Sequence, residues 1–216
     1  MATPRKKNKK WNGEETKRLI LETVSTIMNE SGYTNLQVMK ITRRMGKSKG
    51  MIGYHYRNLN ELLKLYIQQK DYWPPLFERF NFTEHPGEEK IKHLFTELMQ
   101  DNLKLFQETT EMQKIILWQI SQDSPMLRSV SEEREKGGEQ LLGLAAPYFI
   151  HTGINFKAII ALLLGGSYYM VLHSRTNKSS VCGIDLNWDH DKEEVHKTIQ
   201  QVITWAWEKA QEKRAS

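Results

Sequence analysis

The sequence predicts an all-α protein of about nine helices, with three at the N-terminus forming a head and the rest a larger body. Three observations carry this. Apolar residues recur every three or four positions from Glu14 nearly to the end, no alternating apolar run is long enough for a sheet, and no internal repeat is visible. A chain of 216 residues buries a sizeable core, either as one domain or as a small domain joined to a larger one.

The first helix runs from about Glu14 to Ser31, with Ile20, Val24, Ile27 and Met28 on one face and Gly32 where a left-handed cap belongs. A second spans about Leu36 to Arg44, buries Leu36, Val38 and Ile41, and starts at either Asn35 or Gln37. Gly46 ends it, and Lys47 and Ser48 open a third. Asn58 with Glu61 caps a fourth helix striped by Leu62, Leu63, Tyr66 and Ile67, which Pro74 and Pro75 break or redirect.

In the body, helices are expected over Pro86 to Phe106, from Thr110 to near Gln122, and from Ser124-Pro125 onward with a kink or break at Gly137-Gly138. The helix from Asn155 to Leu172 is apolar nearly all round, which predicts cover on most sides. Residues 174–188 read as a polar loop. A last helix begins near Asp191 and carries Val195, Ile199, Val202, Ile203 and Ala206 on one side. These limits divide the chain into a disordered basic arm over 1–13, a head over 14–57, a connecting helix over 58–73 and a body over 74–216.

Charge divides it in the same place. Residues 1–70 hold 15 Lys and Arg against 5 Asp and Glu, a net of +10, while the other 146 hold 16 against 21, a net of −5. A basic head on an acidic body suits a polyphosphate partner, because neutralising phosphates releases condensed counterions; the alternative is a solvated basic face. The arm, with Arg5, Lys6, Lys7, Lys9 and Lys10, either follows phosphates or a minor groove, or aids solubility. A single cysteine, Cys182, excludes an internal disulfide framework and a Cys-rich zinc site, and fits a reducing cytoplasmic setting. The N-terminus shows no secretory pattern, and the longest apolar run, Ala158 to Leu172, has 15 residues against the roughly 20 a bilayer span needs, so no membrane is expected as a partner.

Two short helices around a Gly-containing turn, with the second basic at its front, form the outline of a helix-turn-helix whose second member enters the major groove of double-stranded DNA. Lys47 and Ser48 present helix-start donors to phosphate or a base edge, and Gly50 permits close approach. Lys49 suits guanine acceptors, Met51 a thymine methyl, and Tyr54 and His55 sugar and phosphate, with packing an equal alternative for His55. Ile52 and Tyr56 face inward. Gly50-x-x-Gly53 also matches the loop of an RNA-clamping KH domain, but the strands that domain needs are missing.

The first 65 residues resemble the N-terminal domain of the TetR family of bacterial transcriptional regulators. The resemblance rests on Ile20-Leu21-Glu22, Ser31-Gly32-Tyr33, Ile41, Gly46, Ser48 through Tyr56, Asn58 and Glu61-Leu62. Departures are Gly53 where an aromatic is usual, Leu59 for a phosphate-meeting Lys, and Gln37 for a Thr or Ser cap. The resemblance implies that the second helix assists base reading through Gln37 and Met39. It also implies a small effector inside the body, and some of Trp73, Phe77, Phe106, Trp118, Tyr169 and His173 are expected to line its cavity, with Asn102 as a polar group; the alternative is ordinary core. It implies a homodimer built from the last two helices through Ala161, Gly165, Ile199, Val202, Ile203 and Ala206; the alternative is that both are internal core.

No enzyme, metal site or cofactor is expected. His190, Glu193, Glu194 and His196 cluster without an H-E-x-x-H pair, Cys182 has no evident base, and no Gly-rich phosphate loop occurs. The sequence therefore predicts a DNA-binding regulator, a repressor released from a palindromic operator by a small effector. The rivals are a DNA-binding regulator without a ligand, and a helical small-molecule-binding protein or enzyme with an incidental basic head.

Overall fold

The computed structural model describes residues 13–80 and 86–216; residues 1–12 of the expected arm lie outside the described residues, and Gly13 opens the first helix. Ten α-helices follow among the described residues: α1 Gly13–Ser31, α2 Val38–Arg44, α3 Gly50–Tyr56, α4 Leu59–Lys70, α5 Trp73–Glu78, α6 Glu88–Glu108, α7 Thr110–Ser121, α8 Pro125–Phe149, α9 Phe156–Leu172 and α10 Asp189–Ala215. The protein is all-α, as the periodicity predicts.

The head packs α1 to α4 around Ile20, Val24, Met28, Ile41, Ile52, Leu62 and Tyr66, none more than 1% exposed. Full burial of such side chains contributes about 1.5–3 kcal/mol each. Gly32 adopts φ 74 and ends α1, and a one-turn 3₁₀ helix, Tyr33–Asn35, separates it from α2. Gln37 is the residue that flanks the start of α2, without a side-chain cap bond. The Arg44 guanidinium grips both oxygens of Glu30 at 2.6 and 2.7 Å and ties the end of α2 to α1.

Local signals govern several of the helix starts. Asn58 Oδ1 accepts from Glu61 N at 2.9 Å, Ser124 Oγ from Leu127 N at 3.4 Å, and Asn155 Oδ1 from Ala158 N at 3.0 Å. Pro74 and Pro75 redirect the chain by starting α5 rather than only ending α4: in a first helical turn their missing N–H groups are not needed.

Four expectations change. The helix α8 runs unbroken through Gly137-Gly138. A Cβ at Gly137 would lie 2.6 Å from the Phe77 ring, so this glycine seats α5 against α8 rather than breaking the helix. The helix α9 is not covered on most sides: Leu162 is 76% exposed and Tyr169 58%, while Phe156, Ile160, Ser167 and Val171 face the body. It continues as a π turn, His173–Asn177, and the 22 residues from Phe156 to Asn177 are long and apolar enough to cross a membrane by length and composition, which revises the count of 15. Leu186, inside the expected polar loop, is buried.

The body core is aromatic where α6, α8, α9 and α10 meet. Phe149 stacks on Phe156 at 4.4 Å, and Phe95 and Trp207 approach Phe156 edge-on at 5.0 and 5.7 Å.

Candidate nucleic-acid interface and effector cavity

The turn between α2 and α3 is closed by two backbone bonds: Lys47 N donates to Thr42 O at 2.9 Å and Gly46 N to Arg43 O at 3.0 Å, with Gly46 at φ 63. This is the Schellman pattern, in which a left-handed glycine lets the outgoing chain satisfy the last carbonyls. It corrects the expected start of α3. Lys47 and Ser48 belong to the turn, the Lys47 N–H is already bonded, and the helix begins at Gly50 with Lys49 before it.

From there α3 separates its two sides. Ile52 and Tyr56 are buried, the Tyr56 hydroxyl donates to Lys17 O at 3.0 Å, and burial with the nearby Glu14 charge pushes its pKa up to about 12. Ser48, Lys49, Gly50, Gly53 and Tyr54 are exposed, Met51 and His55 half-buried, and Tyr54 meets His55 edge-on at 4.9 Å. On α2 and its flank, Gln37 and Met39 are exposed. Arg57 follows at φ 65, and Asn58 N donates to Tyr56 O at 2.7 Å, so only two residues link α3 to α4.

The far end of α4 is fastened to the body by three consecutive side chains. The buried Asp71 carboxylate accepts Arg134 Nη2 at 2.6 Å and Nε at 2.9 Å from α8, and its other oxygen accepts Trp73 N at 3.0 Å. The Tyr72 hydroxyl donates to Asn102 Oδ1 on α6 at 3.0 Å. Trp73 Nε1 donates to the Tyr168 hydroxyl on α9 at 2.9 Å, and Tyr168 donates in turn to Asn102 Oδ1 at 3.4 Å. Burial, first among the causes, raises both tyrosine pKa values above their ordinary range, so both remain neutral donors. Asn102 Nδ2 is buried with no hydrogen-bond partner.

Beside this latch lies an apolar cavity of about 320 Å³ between α5, α6, α8 and α9, walled mainly by Trp73, Phe77, Phe95, Met99, Leu141 and Leu164. Arg134 and Tyr168 line it too, so three latch residues form part of its wall. Its volume and apolar lining suit a small ligand.

Of the residues expected at an effector site, Trp73 and Phe77 line this cavity. Asn102 and Phe106 stand behind its wall, Asn102 bonded to Tyr168 and Phe106 packed 4.3 Å from the Tyr168 ring. Three are elsewhere. Trp118 stacks on Tyr33 at 5.4 Å where α7 meets the head, and Tyr169 and His173 pair with one another away from the cavity, Tyr169 pointing outward. One residue turns a helix by about 100°, which is why Tyr168, not Tyr169, faces inward. Arg134 was not expected from sequence, since an arginine among charged neighbours reads as surface.

The expected dimer residues also divide. Ile199, Ile203 and Ala206 are buried within the protomer against its own core, and Val202 is half-buried, so the apolar stripe of α10 faces inward. Ala161 and Gly165 of α9 are exposed at the mouth of the cavity. The uncovered surface is instead Leu162 and Tyr169 on α9 and Trp205 on α10.

Head and body meet again at α7, where four residues on one face form a clamp. Glu111 accepts from Tyr66 at 2.6 Å, from Lys70 at 2.9 Å and from Ser25; Lys114 donates to Met28 O at 3.2 Å and to Asn29 O; Trp118 stacks on Tyr33; and Ser121 Oγ lies 3.2 Å from the Tyr33 hydroxyl. Among the described residues no group of three His, Cys, Asp or Glu side chains is placed to hold a metal ion.

No family model matches the sequence, and no curated protein matches it. Solved structures do. The chain matches a fatty acid metabolism regulator of Clostridium perfringens at TM-score 0.62 and 16% identity, over 85% of this chain and 97% of the other. It matches the transcriptional regulator FadR of Bacillus subtilis, solved in complex with stearoyl-CoA, at 0.59 and 18%, over 86% and 96%. A TetR transcription regulator of Haloarcula marismortui matches at 0.60 and 14%, over 88% and 97%. This chain has their fold. The likeness spans nearly the whole of each regulator, so the body as well as the head follows their architecture.

Proposed function

We propose that the protein is a cytoplasmic, homodimeric DNA-binding transcriptional regulator of the TetR type, a repressor that leaves a palindromic operator when a small apolar effector fills the cavity. The observation that carries this reading is the sharing of residues: Trp73, Arg134 and Tyr168 line the cavity and also hold the end of the helix that carries the reading head. An effector touching them acts on α4 directly, with no intermediary. The head over 14–57 reads DNA, residues 58–73 transmit, and the body over 74–216 senses and pairs.

Exposed Lys49, Gly50 and Tyr54, with Met51, His55 and the α2 flank Gln37 and Met39, form the groove-facing surface, and Ser48 and Lys47 adjoin it. Pairing falls to the uncovered Leu162, Tyr169 and Trp205 surface, which sets two heads about 34–36 Å apart on successive major grooves. Tilting α4 breaks that spacing, and a coupling of about 1–3 kcal/mol changes occupancy roughly 5- to 150-fold. The kinship of fold to a regulator solved with stearoyl-CoA supports an effector with a long apolar part.

The test is a gel-shift titration on a palindromic duplex across salt concentrations. Affinity is expected to fall steeply with salt, and Lys49→Ala to weaken it by about 1–3 kcal/mol with relaxed sequence preference. Unchanged affinity and specificity in that variant would overturn the assignment of α3. Apolar carboxylic acids and thioesters that raise the melting temperature should also release the duplex.

A further inference from the structure

We propose that the elbow between α6 and α7 holds a second ligand site, for a small phosphate-bearing anion. A cavity of about 520 Å³ opens there, lined by Lys104, Gln107 and Glu108 at the end of α6, Thr110 at the start of α7, Arg175 in the π turn after α9, and Lys192 and His196 on α10. It shares no residue with the apolar cavity.

Donors dominate its lining. Lys192 is engaged with Asp189 of its own helix at 2.7 Å, but Lys104 and Arg175 have no acidic partner among the described residues. Glu108 is the one carboxylate in the lining, and Asp101 acts on His196 from beside it. Gln107 Nε2 is buried without a hydrogen-bond partner, and Thr110 brings a hydroxyl. His196 is held below its ordinary pKa, chiefly by burial, and so enters at neutral pH as an uncharged imidazole. Two cations without an ion pair among the described residues, one of them a planar guanidinium fork, beside an orphaned amide suit a ligand rich in acceptor oxygens. A phosphate group is such a ligand.

The frame around the site is already fixed. Gln113 Nε2 donates to the carbonyls of Phe106 and Gln107 at 2.7 and 3.1 Å and staples the elbow, and Gln100 Nε2 donates to His196 O at 3.0 Å and holds α10 on α6. The backbone that carries the donors is therefore held in place before a ligand arrives, and the exposed Lys104 and Arg175 side chains close on it. The volume exceeds what one phosphate fills, which favours a diphosphate.

Inorganic pyrophosphate titrated into the full-length protein by calorimetry, at ionic strength held constant with potassium chloride, tests this. Saturable binding is expected, and the double variant Lys104→Ala/Arg175→Ala should bind at least about tenfold more weakly. Both side chains are exposed, so the melting temperature should not move, and Lys136→Ala on α8 serves as a charge control. No saturable heat, or equal weakening by the control, overturns the site. The operator backbone is the other source of phosphate. If the double variant weakens duplex binding and flattens its salt dependence, the anion is DNA and the small-ligand site is wrong; unchanged duplex binding with lost pyrophosphate binding supports it.

Discussion

Two joints connect head and body, and they are built from different materials. The α7 clamp spaces Glu111, Lys114, Trp118 and Ser121 along one face, meets the head at each turn, and contributes nothing to the apolar cavity. The α4–α5 latch uses three adjacent residues, Asp71, Tyr72 and Trp73, to reach three different body helices, and most of it is buried beside the cavity. The contrast separates two positions: the clamp sets where the head rests, and the latch is the joint that borders the cavity.

Breaking the latch should have the larger effect. Arg134→Ala leaves the Asp71 carboxylate buried and unpaired, and is expected to lower unfolding stability by about 3–5 kcal/mol in a denaturant titration. A loss below about 1 kcal/mol would mean that water reaches the pair and that the two joints do not differ in burial. For the clamp, Glu111→Gln removes the charge that Lys70 and two hydroxyls address, for a loss of about 1.5–3 kcal/mol, with effector response retained.

Acid tests the clamp directly. Burial raises the Glu111 carboxyl, but hydrogen bonds from Ser25, Tyr66 and Lys70, with the Lys70 charge, outweigh it and leave the pKa below its ordinary 4.5. A carboxylate lowered on folding adds stability that is complete above the unfolded value and is lost as pH falls through the folded one. Melting temperatures followed downward from about pH 4.5 should therefore drop faster for the native protein than for Glu111→Gln. Parallel curves would remove Glu111 from the clamp.

The smallest effect lies outside both joints. Gly53 is exposed on α3 with open space where a methyl group would sit, so Gly53→Ala should stabilise the protein by about 0.5–1 kcal/mol, read from the denaturation midpoint. An equal gain in the Arg134→Ala background would show that the head responds independently of the latch.

Much of this was legible in the residues themselves. Gly32, Gly46, Asn58, Ser124 and Asn155 act on their own backbone neighbours, so the limits of α1, α2, α4, α8 and α9 could be read locally. What could not be read depends on distant partners. Gly137-Gly138 looks like a breaker until Phe77 is known to need the space, and the stripe of α10 looks like an interface until α6 is seen to cover it. The cavity is harder still, because Tyr168 and Tyr169 are equivalent in composition and differ only in direction. Arg134 is joined to the end of α4 only through Asp71, which is 63 residues away.

The two-residue link at Arg57 and Asn58 has a mechanical consequence. A longer connector would absorb movement as slack, but a reversal this abrupt gives α3 and α4 no backlash. Rotation at one end of α4 must then reappear at the other, and over its 12 residues, a rod of roughly 18 Å, a swing of about 10° displaces the tip by about 3 Å. That displacement approaches the distance separating adjacent base pairs, so under the proposed function a small disturbance at Trp73 is already enough to put α3 out of step with a duplex.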